Sequence, residues 1–460
     1  MLKKFIILIA IALGLGFLMK AIGLSQHQAI AVSIFSASIL GTLFFWDFRL
    51  SFAFMGTALL FVTKTIDISH FITYSSLEVI IFLVGMMVLV GLLKENGFFS
   101  LLTHSLLGIK HLTARRFVII LCAVSWLMAA SVDEVTSIIF MIAATLEICD
   151  RLKVNPTPYV IISVLATNIG SAATVLGNPI GILIASKSGL TFEDFIAKAL
   201  PLSAVCLIVT IAICLAWYRK SFKEMDDNIR HLKNNELTLM QKPYYIKKEL
   251  RISLVIFVAT LVLISLHHRL ELFWDLEPNT ILFVAPLIAS SIVFVWRRHS
   301  ARKYVEKDVE WWTLLFFLLL FGQAGTLRYT GATNILANYL AEMTNSSINI
   351  LTGCILWISS VGSAVLDNVV LVATLIPVIQ DFKGIGINLQ PLWWALLFGG
   401  CLGGNITLVG STANIVALGI LEKEKNLRVT FLEWFGIGLT VGVITTAIVW
   451  IALIFIPVYQ

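Results

Sequence analysis

The stretch Ser131-Val132-Asp133-Glu134-Val135-Thr136 places two carboxyl groups inside an apolar segment of membrane length. It is followed by Asn168-Ile169-Gly170-Ser171-Ala172-Ala173-Thr174-Val175-Leu176-Gly177-Asn178-Pro179. The same order returns in the second half, as Ala364-Val365-Leu366-Asp367-Asn368-Val369 and then Gly403-Gly404-Asn405-Ile406-Thr407-Leu408-Val409-Gly410-Ser411-Thr412-Ala413-Asn414. Ionisable groups are costly in hydrocarbon, so they indicate a pathway. Two matched sets, one in each half, are typical of a transporter built from internal repeats.

The spacing of the two sets supports a duplication. Asp133 lies 44 residues before Gly177, and Asp367 lies 43 residues before Gly410. Glycine and small hydroxyl residues at such spacing also occur where helices merely pack closely. Because carboxylate and amide residues recur at the same offset in both halves, the duplication favours a functional pair of sites.

The composition identifies the class of protein. Of 460 residues, 58% are hydrophobic and 13% are charged, and the mean hydropathy is +0.93. This composition excludes a soluble domain and predicts an all-α polytopic membrane protein. The net charge of +6 is concentrated in a few loops, where it sets orientation, so we expect a lipid bilayer and no nucleic acid as partner. No nucleophile or metal-binding motif is present, so we expect neither an enzyme nor a cofactor.

Apolar windows predict about eleven transmembrane helices, two of which are interrupted, and two re-entrant hairpins. The spans are expected near residues 5–24, 28–45, 50–66, 78–94, 198–218, 252–268, 278–296, 311–328 and 434–457. Broken hairpins are expected at 117–149 and 348–380, interrupted helices at 157–187 and 391–420, and an interfacial helix at 333–343. The interruptions are expected because glycines and polar residues lie in the middle of these segments.

Basic loops predict the orientation and the domain boundaries. We expect an N-terminal transmembrane helix at 1–27, which is retained because its apolar run is too long for a signal peptide. A first inverted repeat at 28–218, a cytoplasmic linker at 219–251 and a second inverted repeat at 252–460 follow. The linker carries nine Lys or Arg against five Asp or Glu and is expected to be dispensable for the site. These loops put the N-terminus in the cytoplasm and the C-terminus outside, in a prokaryotic inner membrane.

Broken helices leave backbone N–H and C=O groups unsatisfied, and these can line an ion site together with side-chain oxygens. The candidate binding residues share this position at a tip or an interruption: Ser131, Asp133, Glu134, Thr136, Asn168, Thr174, Gly177, Asn178, Ser363, Asp367, Asn368, Asn405, Thr407, Gly410, Ser411, Thr412 and Asn414. A sodium ion is a candidate ligand of Asp133, Asp367 and Asn368. We expect the Asp133 and Asp367 side chains to point into one cavity near the bilayer midplane.

These motifs resemble the ion transporter superfamily, in particular the branch with arsenite permeases, NhaD-type sodium–proton antiporters and the melanosomal P protein. The resemblance is strongest at residues 366–369 and 168–179 and at their counterpart 403–410. It implies a scaffold domain with a moving transport domain, an elevator mechanism and a homodimer. The chain departs from the branch at Asp133-Glu134, where Asp-Asn is common, and at 177–180, where Gly-Asp-Pro-Pro is common.

Charge favours a cation over an anion as the substrate. Asp133, Glu134 and Asp367 would repel an anion unless sodium or protons cancelled their charge, and no Lys or Arg lies in the motif segments. Cation (sodium)–proton antiport is therefore the leading hypothesis, with the Glu134 proton competing with the cation. The alternative is an anion or metalloid carrier, for arsenite efflux or sodium-coupled carboxylate transport. Because no cysteine belongs to a motif, arsenite recognition by thiols is disfavoured.

Overall fold

A computed structural model describes residues 2–21, 23–107, 113–234 and 245–459, and these residues form helices and connecting turns without a strand. The helices of the first half are α1 (Leu2–Ala21), α2 (Gln26–Phe44), α3 (Arg49–Val62), α4 (Ile68–Tyr74), α5 (Leu77–Glu95), α6 (Phe98–Leu107), α7 (Ala114–Ser131), α8 (Glu134–Leu152), α9 (Thr157–Gly170), α10 (Pro179–Ser188), α11 (Phe192–Asp194) and α12 (Leu200–Trp217).

The second half begins with a helix in the linker, and its hairpin and broken helix follow in the same order as in the first half. They are α13 (Arg219–Asn234), α14 (Lys248–Ser265), α15 (His267–Trp274), α16 (Thr280–Trp296), α17 (Ala301–Lys303), α18 (Trp311–Tyr329), α19 (Ala332–Met343), α20 (Ile348–Ser363), α21 (Asn368–Asp381), α22 (Gln390–Gly403), α23 (Thr412–Lys425) and α24 (Phe431–Phe455). The all-α class predicted from the sequence is confirmed.

Seven helices within the described ranges are long and apolar enough to cross a membrane, or nine if each of two bent pairs is one span. The bent pairs are α14 with α15, at 64°, and residues 301–308 with α18, at 60°. Several predicted crossings are made of shorter pieces, because glycine-containing breaks divide them. The exposed apolar side chains on these helices fit a protein surrounded by lipid rather than water.

Two helical hairpins and two broken helices form the polar centre of the fold. Hairpin 1 is α7 and α8 with the tip 132–133, and hairpin 2 is α20 and α21 with the tip 364–367. Break 1 (residues 171–178) separates α9 from α10, and break 2 (residues 404–411) separates α22 from α23. Each hairpin packs against the broken helix that follows it in the chain. The order hairpin, broken helix, long helix therefore occurs twice, as the spacing of the motifs predicts.

The first half of the linker is a helix that packs on hairpin 1. Apolar residues recur along one face of α13, and Phe222, Met225 and Ile229 are buried. The Asp226 carboxylate accepts a 2.7 Å hydrogen bond from the Ala114 backbone N–H, at the start of hairpin 1. At the end of the same hairpin, Asn228 Nδ2 donates to the carbonyl of Leu152, at 3.0 Å. The linker therefore holds both ends of hairpin 1, while its residues 235–244 lie outside the described part of the chain.

We expect Asp226→Ala to lower the free energy of unfolding by about 1.5–3 kcal/mol, the usual range for a hydrogen bond to a charged group. The reason is that the Ala114 N–H loses its acceptor at the base of hairpin 1. Hydrogen exchange of purified protein should show faster exchange in hairpin 1 than elsewhere. The neighbouring Asp227→Ala is the matched control, since Asp227 makes only a 3.9 Å contact to an exposed arginine. Equal effects of the two variants would contradict the role of Asp226.

Candidate functional site

In each half, an equivalent threonine hydrogen bond joins the break to its hairpin. The Thr174 hydroxyl of break 1 donates to the carbonyl of Ala130 at 2.5 Å, next to the tip of hairpin 1. The Thr407 hydroxyl of break 2 donates to the carbonyl of Ala364 at 2.5 Å, in the tip of hairpin 2. All four residues occupy matching positions in the two sequence motifs. The two halves thus place hairpin tip and helix break together in the same way.

Glycines make this close approach possible at the end of each broken helix. A Cβ atom on Gly170 would lie 2.3 Å from the carbonyl oxygen of Trp126, on hairpin 1. A Cβ atom on Gly403 would lie 2.2 Å from the carbonyl oxygen of Ser360, on hairpin 2. Both distances are far below van der Waals contact with atoms of a helix backbone, so only glycine fits. Both glycines lie in the segments where the sequence predicts an interruption.

We expect Thr174→Val and Thr407→Val each to reduce stability by about 1–3 kcal/mol, because a buried carbonyl loses its donor while the side-chain volume is kept. The two effects should be similar, since the two bonds correspond by the internal repeat. Thermal unfolding of the purified variants measures this. Thr440→Val is a control, because the Thr440 hydroxyl bonds only within its own helix, to Gly436. A large loss for one repeat with none for the other would contradict an equivalent role.

The beginnings of four helices meet in this region, and polar side chains cap them. Asp133 caps α8 by accepting from Thr136 N at 2.8 Å, and Asp367 caps α21 by accepting from Val369 N at 3.1 Å. Asn178 caps α10 and Ser411 caps α23 in the same manner. The N-terminal ends of helices carry partial positive charge and favour a negative group nearby. Part of the polarity of the two motifs is therefore needed simply to start these helices.

Glu134 lies where these helix beginnings converge, and its side chain is buried. Its Oε1 accepts from Asn368 Nδ2 at 3.3 Å and from the Ser411 hydroxyl at 3.5 Å. Its Oε2 accepts from Asn178 Nδ2 at 3.4 Å. Asn178 Nδ2 also lies 3.1 Å from Ser171 Oγ and 3.2 Å from Cys401 Sγ. One carboxyl group thus joins both hairpins and both breaks, through partners that are all neutral.

A second buried cluster joins the two broken helices directly. Asn168 Nδ2 donates to the side-chain oxygens of Asn405 and Asn414, at 2.9 Å each. Asn414 in turn donates to the carbonyls of Gly404 and Thr407 in break 2. These amides crosslink α9 to the second repeat. They are predicted site residues whose recorded contacts are with each other and with backbone, not with Glu134.

A polar cavity leads to the tip of hairpin 1. Its volume is about 160 Å³, and its wall includes Asp133, Glu134, Thr136 and Thr412. Further charged residues of both signs lie on the same wall: Lys94, Lys307, Asp308 and Glu310. Four carboxyl groups against two ammonium groups give this cavity an acidic wall, which attracts cations. We call it the first cavity.

Asp133 and Asp367 do not share one cavity, contrary to the expectation from their matched spacing. Asp367 lines a second cavity of about 150 Å³, whose wall includes Thr42 and Trp46. Thr412, on the wall of the first cavity, donates to Asp367 Oδ2 at 2.6 Å, so Asp367 lies next to that wall without forming part of it. Asn368 contacts Glu134 instead. In this conformation the structure therefore does not bring Asp133, Asp367 and Asn368 together around one sodium ion.

The remaining predicted residues have mainly local partners. The Ser131 hydroxyl donates to the Leu127 carbonyl within its own helix, at 2.8 Å. The Ser363 hydroxyl donates to the Gly400 carbonyl at 2.7 Å and joins hairpin 2 to α22. Gly177 and Gly410 pack against backbone of the breaks and hairpins, with no room for a side chain. Of the predicted residues, Asn178, Asn368 and Ser411 contact the Glu134 carboxyl.

The sequence interpretation missed a cation near this region. Arg49 is buried at the start of α3, with 8% of its surface exposed, although the sequence places it in a loop between spans. Its Nη2 donates to the Thr313 hydroxyl at 3.1 Å, and Thr313 lines the first cavity. The aromatic and charged run Trp46-Asp47-Phe48-Arg49 was the available signal. Nothing in that run specifies which helix of the second repeat Arg49 contacts.

Comparison with known proteins identifies related transporters. A family model described as "Citrate transporter" (CitMHS) matches residues 42–399. The "Uncharacterized transporter Rv2684" of Mycobacterium tuberculosis is 32% identical over 405 residues, which cover 86% of this chain and 91% of that protein. The "P protein" of Homo sapiens is 26% identical over 455 residues, which cover 83% of this chain and 54% of that protein.

A solved structure has a related fold. The crystal structure of the YdaH transporter of Alcanivorax borkumensis, described as having an unusual topology, superposes with a TM-score of 0.54. The alignment covers 86% of this chain and 88% of that one, at 14% sequence identity. At this identity the likeness concerns the fold alone.

Proposed function

We propose, because the chain belongs to the citrate transporter family and is thus an integral membrane transporter of the ion transporter type, that it exchanges a small cation such as sodium for protons. The observation that carries this proposal is the Glu134 carboxyl, which is buried among neutral donors at the end of an acidic cavity. A buried carboxylate without a cationic partner needs a proton or a metal cation to balance its charge. Competition between the two at one carboxyl is the basis of exchange.

In this proposal the first cavity is the route by which a cation reaches the Glu134 carboxyl. Its acidic wall raises the local concentration of cations, and Glu134 lies on that wall. A cation that reaches Glu134 can displace its proton and would then be held by the carboxylate, with the Ser411 hydroxyl oxygen beside it. Because two ligands compete for one carboxyl, the carrier would be loaded with either the cation or the proton. The chemistry needs no cofactor beyond these coupling ions.

Movement of the site between the two sides would follow from the internal repeat. We propose an elevator motion in which the hairpins and broken helices move as one transport domain against a scaffold. The hydrogen bonds of Thr174, Thr407 and Asn168 support this unit, because they join both hairpins and both broken helices. A homodimer, a bacterial plasma membrane and a cytoplasmic N-terminus complete the proposal. Crosslinking in native membranes and labelling of cysteines placed in the linker test these points.

A carboxylate carrier is the second candidate, and two observations favour it. The family that matches is described as a citrate transporter. In addition, four helix beginnings converge at Glu134. Such helix ends can bind the carboxylate of a substrate, just as they stabilise a buried glutamate. In this mechanism protonation of Glu134, or its pairing with a cation, would release its amide and hydroxyl donors for a substrate carboxylate.

Transport by the full chain in proteoliposomes separates the candidates. With an imposed sodium gradient and a pH-sensitive dye inside, antiport predicts proton movement opposite to sodium, without any organic anion. A carboxylate carrier predicts no such movement until citrate or another small carboxylate is added, together with uptake of the labelled carboxylate. Proton flux that depends on a carboxylate would overturn the antiport proposal in favour of the second candidate.

A further inference from the structure

Arg49 lies between the first and second cavities. Its guanidinium carbon is 4.3 Å from the centre of the Trp46 ring, and Trp46 shares the wall of the second cavity with Asp367. On its other side, Arg49 Nη2 donates to the Thr313 hydroxyl, which is 3.4 Å from Glu310 Oε2 on the wall of the first cavity. One buried cation is therefore attached to a wall residue of each cavity.

The Arg49 guanidinium has unused capacity to bind. Its Nε is buried and has no hydrogen-bond partner within the described part of the chain, although an arginine has five N–H donors. A buried charge is stable only when other charges balance it. Acidic groups lie on both sides of Arg49: Glu310, which accepts from the Thr313 hydroxyl, and Asp367, which shares the wall of the second cavity with Trp46.

Asp367 has the complementary property. It is buried, and its carboxylate accepts from the Thr412 hydroxyl and from the Val369 backbone N–H, both of which are neutral. Like Glu134, it therefore needs a positive charge nearby. The second cavity, of about 150 Å³, has Asp367 on one wall and the Trp46 ring under Arg49 on another. Asp367 also adjoins Glu134, because its neighbour Asn368 donates to Glu134 Oε1, so a cation at Glu134 would meet the field of both groups.

We propose that Arg49 is a tethered counter-cation of Asp367, which competes electrostatically with the transported cation and so sets the affinity of the carrier. This inference rests on the proposed cation exchange and adds a regulating residue to it. When no cation is bound, Arg49 balances the charge of Asp367 and keeps the unloaded site close to neutral. When a cation binds at Glu134, near Asp367, its positive charge is repelled by that of Arg49, so the cation is held more weakly than it would be without Arg49.

The proposal predicts that Arg49→Gln makes the carrier bind its cation more tightly. In proteoliposomes, the sodium concentration for half-maximal proton flux should fall by about tenfold, which corresponds to about 1.4 kcal/mol. The maximal rate should also fall, because the unloaded site now carries an unbalanced charge when it reorients. A residue that merely stabilises the fold would lower the rate and leave the half-maximal concentration unchanged or raised.

Matched variants keep the test decisive. Arg49→Lys retains the charge and should keep the half-maximal concentration near that of the wild type. Arg302→Gln is the control for loss of a positive charge elsewhere, since Arg302 is exposed and pairs with Glu306. If the Arg49→Gln protein cannot be reconstituted into proteoliposomes, a double variant that combines Arg49→Gln with Asp367→Asn is used. It removes both charges and should recover the thermal stability of the protein.

The possible outcomes are distinct. An unchanged or raised half-maximal concentration in Arg49→Gln, or no recovery of stability in the double variant, would overturn the role of Arg49. An equal shift in Arg49→Lys would also overturn it. Absence of cation-driven proton flux in the wild type would instead overturn the proposed exchange itself, so the two failures can be told apart.

Discussion

Glu134→Gln is expected to abolish cation-coupled proton flux, with a loss of about a hundredfold or more. The buried Glu134 charge is what binds the proton or the cation, and the loss of such a buried partner costs several kcal/mol. The replacement has nearly the same size but cannot hold a proton or attract a cation. The protein should still fold, since glutamine retains one acceptor for the donors of Asn368, Asn178 and Ser411. Some stability should be lost, about 1–3 kcal/mol, because one of these donors loses its acceptor.

Proton flux as a function of sodium concentration and pH measures this effect. Glu147→Gln is the matched control, because Glu147 lies on the same helix but forms a surface pair with Arg151. It should transport like the wild type. If Glu134→Gln lowers thermal stability but leaves the pH profile and the cation affinity of the residual flux unchanged, then Glu134 only steadies the tip of hairpin 1, and its role in exchange is disproved.

Gly403→Ala and Gly170→Ala are expected to produce the largest losses of stability, about 3 kcal/mol each or more, at or above the usual range for overpacked cores. The added methyl groups would lie 2.2 Å from the Ser360 carbonyl oxygen and 2.3 Å from the Trp126 carbonyl oxygen. These carbonyls belong to hairpin helices and cannot move aside as a flexible side chain would. The hairpins must therefore shift away from the broken helices, which also disturbs the surroundings of Glu134.

Gly419→Ala is the control for these two substitutions. Gly419 lies on α23, and a Cβ atom there would have no neighbour within 4 Å. Alanine should be neutral or slightly stabilising at this position, since glycine is unfavourable within a helix. Thermal unfolding in detergent compares the three variants. Stability of Gly403→Ala and Gly170→Ala close to that of Gly419→Ala would show that the hairpins are not held against the broken helices as described.

The hairpins and the interruptions could be predicted from the sequence because their signals are local. Asp133 and Asp367 begin helices, Gly170 and Gly403 end them, and the offset between these features is nearly the same in both halves. Such signals determine where a helix starts and stops. They also indicate that one hairpin and one broken helix pack together in each half.

The arrangement around Glu134 could not be predicted, because it depends on contacts between the halves. The matched position of Glu134 in the second repeat is Asn368, and the two side chains contact each other. Equivalence in sequence suggested instead that the matched aspartates would meet. Thr412, on the wall of the first cavity, bonds to Asp367, and no spacing rule specifies that bond.

Arg49 and α13 illustrate two different reasons for a miss. Arg49 contacts Thr313, which is 264 residues away in the chain, so its burial follows from tertiary packing alone. For α13 the signal was present, because Phe222, Met225 and Ile229 recur at helical spacing within a charged segment. That pattern predicts an amphipathic helix with one buried face, which the structure places on hairpin 1.

The most direct test of the central claim is the release of protons when a cation binds to purified protein in a weakly buffered solution. If the cation and the proton compete for Glu134, sodium should release about one proton per chain near neutral pH, in line with competition at a single carboxyl. Glu134→Gln should release none, whereas Glu147→Gln should release as many as the wild type. Sodium binding without proton release by the wild type, or equal release by Glu134→Gln, would contradict the account.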